Sequence, residues 1–155
     1  MKVTIYSDGS SRGNPGPGGY GTVIHFYDSK NVLHEKEISC GYRHTTNNRM
    51  ELMGVIVGLE SLTCPCEVTV VTDSKYVVDA FNQHWIEGWI KRNWRTANNT
   101  EVKNPDLWKR LLNAKSKHQV TFKWIKGHNA HPQNERCDQL AVAAALSSNL
   151  QEDKI

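Results

Sequence analysis

The chain has 155 residues and a mass of 17.6 kDa, with 38% hydrophobic and 23% charged residues and a mean hydropathy of −0.59. That is one domain's worth of chain with enough apolar content for a core, which excludes wholesale disorder, and no stretch approaches the ~20 apolar residues of a membrane span. A net charge of +3 and a pI near 8.7 are only mildly basic and name no partner by themselves.

Residues 2–7 (KVTIYS) alternate Val3 and Ile5 with polar neighbours and predict a strand. Gly13 to Gly19 is a strong turn signal, and 20–27 and 32–42 predict two further strands. Short turns between them imply an antiparallel meander. From Thr46 the apolar period becomes helical (Leu52, Ile56, Leu59), with Asn47 or Asn48 as the expected N-cap and Pro65 beyond the end. Residues 67–72 (EVTVVT) predict a central strand, and Ser74 caps a helix through Tyr76, Val77 and Ala80. A helix is expected around Leu107–Leu112, a last strand at 119–125, and an alanine-rich helix from Asn134 to Leu146. The tail, 147–155, is expected to be flexible. The order predicts one α/β domain over residues 1–155: a five-stranded mixed sheet, three strands antiparallel and two parallel, with helices on both faces.

Charge is unevenly placed. Between Trp85 and Arg110 stand six basic residues (Lys91, Arg92, Arg95, Lys103, Lys109, Arg110) against three acids (Glu87, Glu101, Asp106), and four of the five tryptophans lie there too. Trp89 and Trp94 are expected to pack rather than bind.

Two patterns mislead. Gly16, Gly18 and Gly21 spell GxGxxG, but a strand rather than a helix follows, so no nucleotide cofactor is expected. Cys64-Pro65-Cys66 has one residue between its thiols, not the two of a redox or zinc knuckle, and reads as free thiols. Cys40 and Cys137 read as small buried hydrophobes. Four cysteines are too few for a disulfide scaffold, and MKVTIYSDGS has no secretory leader pattern, so a reduced, cytoplasmic protein is expected.

The acids carry the chemistry. Asp8 ends the first strand and Asp73 the central one, so parallel pairing of the two puts both on one rim. Glu51 lies in the first turn of the following helix and Asp138 in the first turns of the last. Each alone has a bland explanation as a turn former or a helix-dipole partner. Four on one rim need a counter-charge, and hard divalent cations, Mg²⁺ in particular, supply one. Two such ions can clamp the attacking and leaving oxygens of a phosphoryl displacement. His128, after the last strand, is placed to shuttle a proton.

The stretches YSDGS, GNPGPGGYG, TTNNRMELMG, TDSKYV, VKNPDLW and KGHNAHPQNERCDQLA closely resemble the bacterial type 1 ribonuclease H family, from about Val3 to Ala145. The resemblance implies a ribonuclease H-like fold. It also implies an endonuclease that cuts the RNA strand of RNA–DNA hybrids with two Mg²⁺ ions, Mn²⁺ being a substitute, and leaves 5′-phosphate and 3′-hydroxyl ends. Asp8, Glu51, Asp73 and Asp138 match the metal-binding acids, and His128 the loop histidine of proton transfer and product release. Ser11, Asn14, Asn47, Asn48 and Lys75 match positions that touch RNA across the minor groove, where the 2′-hydroxyl distinguishes RNA from DNA. Thr46 and Asn104 match a pocket for a DNA-strand phosphate, and Trp85 and Trp108 the lining of the DNA channel. Residues 85–104, with Lys91, Arg92 and Arg95, resemble the family's basic protrusion, a handle on the substrate.

The chain departs from the usual pattern at Ser11, often Cys; at Lys75, often Gln or Asn; at His44, often Arg, although Arg43 is adjacent; and at Gly88 and Ile90. These touch affinity and cleavage preference, not the acids. A monomer with no membrane partner is expected. A non-catalytic binding module on the same fold, or another nuclease of the superfamily, is the competing reading.

Overall fold

The computed structural model describes residues 1–127 and 131–153. β1 (Lys2–Ser11), β2 (Gly16–Tyr27) and β3 (Leu33–Thr45) form the antiparallel meander. β4 (Glu67–Thr72) pairs parallel to β1, and β5 (Gln119–Trp124) parallel to β4, giving the order β3-β2-β1-β4-β5. The helices are α1 (Asn47–Glu60), α2 (Lys75–Asn82), α3 (Trp85–Lys91), α4 (Pro105–Lys115) and α5 (Pro132–Ala145). The expected mixed sheet and helical cover on both faces are therefore present.

Two-residue periodicity assigns the faces. Ile5, Ser7 and Thr22 face α1: a Cβ on Gly58 would stand 2.9 Å from Ile5 Cγ2, and Thr22 Oγ1 donates to the Gly54 carbonyl at 2.7 Å. The alternate residues face α5, where a Cβ on Gly21 would collide with the Cys137 carbonyl. The GxGxxG pattern is thus strand, and its last glycine is spent on helix docking. α1 lies between the sheet and α4, which is why Met50, Leu52, Val55 and Ile56 are all fully buried. On the same face of the sheet as α1, Phe81 of α2 stacks on Phe122 of β5 with ring centroids 4.2 Å apart.

Several local expectations need correction. β1 runs to Ser11 rather than residue 7, because β2 continues to pair with it as far as Ser11↔Gly18. Thr46, not Asn47 or Asn48, is the N-cap of α1: its hydroxyl accepts from Arg49 N at 3.2 Å. Ser74 caps α2 as expected, accepting from Val77 N at 3.3 Å. α5 begins at Pro132, whose missing N–H suits a first helical position, rather than at Asn134. The tail is not loose up to residue 153. Gln151 bridges to Tyr42, with Arg43 N donating to Gln151 O at 3.0 Å and Gln151 N to Gly41 O at 2.8 Å. Asp153 then pairs with the buried Arg49.

Candidate active site

The parallel ladder between β1 and β4 ends at Tyr6↔Val71, while β1 stays paired with β2 beyond it. Asp8 therefore sits in mid-strand, at the point where its parallel neighbour has stopped, and not at a strand end. Asp73 directly follows β4. Glu51 lies in the second turn of α1, not the first, so complementing the helix dipole does not account for it. Gly9 lets α1 approach: a Cβ there would stand 2.5 Å from Glu51 N.

The result is a carboxylate cluster. One oxygen each from Asp8, Glu51 and Asp73 lies within 4.8 Å of the others. Asp138 reaches the cluster from α5 through a hydrogen bond with the Asp8 side chain. Asp8 is 9% exposed and Glu51 6%. Burial, then the charges of Asp73 and Asp138, push the Asp8 carboxyl up to about 8, although Gly9 N donates to its Oδ1 at 3.0 Å. Burial, then Asp8 and Asp73, hold Glu51 well above the usual carboxylate range. Glu51 Oε2 is buried without a hydrogen-bond partner among the described residues. An all-oxygen set with one orphaned buried carboxylate oxygen fits a hard divalent cation.

Four further residues serve this site and were not singled out from sequence. Gly127 lies against Asp73: a Cβ would stand 2.6 Å from its Oδ2. Trp124 Nε1 donates to the Asp73 carbonyl at 2.9 Å, and Lys75 Nζ stands 4.7 Å over the Trp124 ring. Asn134, read only as a helix opener, lines the same cavity with its Oδ1 buried and unpartnered among the described residues. Gly9 is the fourth. The glycines stood inside quoted motifs; Trp124 and Asn134 gave no signal apart from their neighbours. Gly127→Ala is expected to turn the Asp73 carboxylate and raise the Mg²⁺ concentration for half-maximal activity by ~10–100-fold, measured by metal titration, with turnover recovering at high Mg²⁺.

The remaining expected residues fall into three groups. On the surface beside the acids, Asn14 Oδ1 accepts from Asn47 N at 2.8 Å, Ser11 bonds the Gly13 carbonyl, and Asn48 and Lys75 are exposed. Around Arg49, Thr46 caps α1, and Asn104 accepts from Arg49 Nη1 at 3.2 Å and donates to Tyr76 OH at 3.1 Å. In the protrusion Lys91, Arg92 and Arg95 are exposed, and Trp85 is 45% exposed. Trp108 is the correction. It is fully buried and donates to Tyr76 OH at 3.1 Å, so it supports the Asn104 neighbourhood from inside rather than lining a channel. Trp89 and Trp94 pack as expected, Trp89 edge-on to Trp108 at 5.3 Å. His128 lies outside the described residues.

The family model described as RNase H matches residues 1–146. The chain is 63% identical over 156 residues to the ribonuclease H of Lachnoclostridium phytofermentans, covering 100% of this chain and 99% of that one. It is 52% identical over 151 residues to that of Escherichia coli O127:H6, covering 97% and 94%. Among solved structures, LC9-RNase H1, a type 1 RNase H, superposes with a TM-score of 0.82 at 31% identity, over 93% of this chain and 72% of that one. LC11-RNase H1, solved in complex with an RNA/DNA hybrid, gives 0.64 at 29% identity, over 92% and 96%. A matching family model across most of the chain, full-length relatives and a shared fold around the acid cluster together make this chain a member of the RNase H family of ribonucleases.

Proposed function

We propose that the protein is an endonuclease that hydrolyses the RNA strand of RNA–DNA hybrids and leaves 5′-phosphate and 3′-hydroxyl ends. The observation that carries this reading is the cluster of Asp8, Glu51 and Asp73 in a chain of this family. Asp8, Glu51, Asp73 and Asp138 would hold two Mg²⁺ ions, with Mn²⁺ able to replace them. When bound, such ions neutralise charge on the phosphate and activate water for in-line displacement. The chain's own part is to hold four acids on a rigid rim and to keep the substrate in register.

Asn14 spends its carboxamide oxygen on Asn47 N, which leaves its NH₂ to donate to the RNA strand. Ser11, Asn47, Asn48 and Lys75 complete that contact, where a 2′-hydroxyl separates RNA from DNA. Thr46 and Asn104 take a phosphate of the DNA strand, and Trp85 lies along that strand. His128 moves a proton at the scissile phosphate. All four acids come from one chain, so the reaction needs no second copy. No helix among the described residues is long and apolar enough to cross a membrane.

The deciding experiment is cleavage of RNA–DNA hybrid, duplex RNA and duplex DNA side by side, with Mg²⁺ and with chelator. Cleavage of the hybrid's RNA strand alone, lost with chelator, supports the reading. Hybrid binding without cleavage would make the protein a binding module, and DNA cleavage would make it a different nuclease.

The protrusion governs affinity. Arg92 Nε donates to the Arg95 carbonyl at 3.1 Å and Arg95 Nη1 to the Asn99 carbonyl at 3.0 Å, which orients both guanidinium groups. Replacing Lys91, Arg92 and Arg95 together with Ala is expected to raise KM and to flatten the log–log salt slope by up to ~0.9 per lost phosphate contact. Saturated kcat changes little, because these groups hold ground state and transition state alike. Steady-state kinetics at several salt concentrations checks this.

A further inference from the structure

The segment between α1 and β4 carries two thiols that hydrolysis does not use. Cys64 is exposed and Cys66 is 6% exposed, and their sulfurs stand 3.9 Å apart. Three features hold them there. Pro65 between them has its φ locked near −65° by its ring. The Cys66 thiol turns back to donate to the Cys64 carbonyl at 3.1 Å, and Cys66 N donates to His118 Nδ1 at 3.0 Å. The pair lies at the start of β4 and Asp73 at its end, ~20 Å away for a six-residue strand.

We propose that Cys64 and Cys66 form a redox-active dithiol, in which the exposed Cys64 meets a small-molecule disulfide and the buried Cys66 resolves the mixed disulfide. In the first step the Cys64 thiolate attacks one sulfur of the oxidant. A Cys64–thiol mixed disulfide forms, and one small thiolate leaves with the electron pair of the broken bond. In the second step Cys66 loses its proton to solvent and attacks Cys64 Sγ, which expels the second small thiol. Two protein thiols are oxidised and one small disulfide is reduced to two thiols. Closing the gap from 3.9 Å to the ~2.05 Å of a disulfide requires a swing of the Cys64 side chain, which solvent leaves free.

An exposed thiol beside a buried partner is the arrangement in which a mixed disulfide is captured rather than retained. The loop that closes is too short for a large gain in chain entropy, so the bond is a chemical event and not a staple. Burial, then contact with Cys64, raises the Cys66 thiol above its usual range, so the second step quickens as pH rises. Cys137, buried in α5 with its thiol pushed up to about 12 by burial, is shielded from the same chemistry.

The test uses the full chain in mixtures of reduced and oxidised glutathione. Samples are quenched with acid, unfolded and alkylated, and then measured by intact mass and peptide mapping. The wild type is expected to fall from four alkylatable thiols to two, with no glutathione retained and the lost pair mapped to Cys64 and Cys66. Cys66→Ser is expected to retain one glutathione on Cys64. Cys64→Ser, a change at an exposed position, is expected to keep three thiols and take up none. A wild type that retains glutathione on Cys64, keeps all four thiols in mixtures that modify Cys66→Ser, or loses thiols at Cys40 or Cys137 instead would overturn the proposal.

Discussion

Asp73→Asn is expected to lower hybrid cleavage by at least ~10²–10³-fold, the scale of losing one electrostatic contact in the transition state, while hybrid binding persists. The substitution preserves shape but removes a charge from three carboxylates packed within 4.8 Å. Asp8→Asn behaves alike in catalysis and adds a second readout. The folded protein holds the Asp8 proton up to about 8, against 3.8 for the free side chain, so between these values it binds more protons than the unfolded chain. Stability without metal therefore falls as pH rises from ~4 to ~8 and levels off above that. Asp8→Asn removes this penalty. In chelator at or above pH 8 the variant is expected to exceed wild type by ~1–3 kcal/mol, and the two should converge towards pH 4. Urea unfolding at both pH values checks this, and added Mg²⁺ should stabilise the wild type more than the variant. An Asp73→Asn protein with near-full turnover would refute the assignment of the acids.

The rim was legible because its parts are local signals. EVTVVT ends in Asp73, the helix after Thr46 is strongly periodic, and the meander is short-range, so each acid could be placed on an element before any packing was known. Glu51 illustrates the limit. Sequence gives its element but not its turn, because the cap turned out to be Thr46, whose hydroxyl competes with two asparagines for the same role. Asp8 reads as a strand end because Gly9 to Ser11 lack the apolar alternation of a strand. Pairing with β2 holds them extended all the same. Trp108 stands among exposed basic residues and reads with them, because neither Leu112 at i+4 nor the neighbouring Leu107 says which side of α4 meets Phe81 and Tyr76. The tail was illegible for a different reason. Its order comes from backbone pairing and ion pairs between residues about a hundred positions apart, and no periodicity announces those.

Arg49→Ala is expected to lower stability by ~3–5 kcal/mol, the range for breaking a buried ion pair from one side. The Arg49 side chain is 3% exposed and binds three partners. Nε and Nη2 donate to Asp153 at 2.8 and 3.0 Å, Nη1 and Nη2 to Asp106 at 3.0 and 2.8 Å, and Nη1 to Asn104. Its loss leaves Asp153, only 9% exposed at the side chain, as a buried charge with the Thr45 hydroxyl for company. Asp153→Asn should do less harm, because Arg49 keeps Asp106 and the amide can still accept one bond. Combining Asp153→Asn with Arg49→Ala should recover part of the loss, since the uncompensated charge is gone. The Arg49–Asp153 bonds tie the chain end to α1, next to its backbone pairing with β3, so Arg49→Ala should also speed amide exchange at Arg43 and Gln151. The bond from Arg49 holds Asp106 below the usual carboxylate range. Its stabilising share is therefore present above that range and lost as pH falls through the lowered value, so the gap between wild type and Arg49→Ala should narrow in strong acid. Denaturant unfolding of the three variants at neutral and acid pH tests this, and an Arg49→Ala protein as stable as wild type at neutral pH would show that the tail is held by its backbone pairing alone.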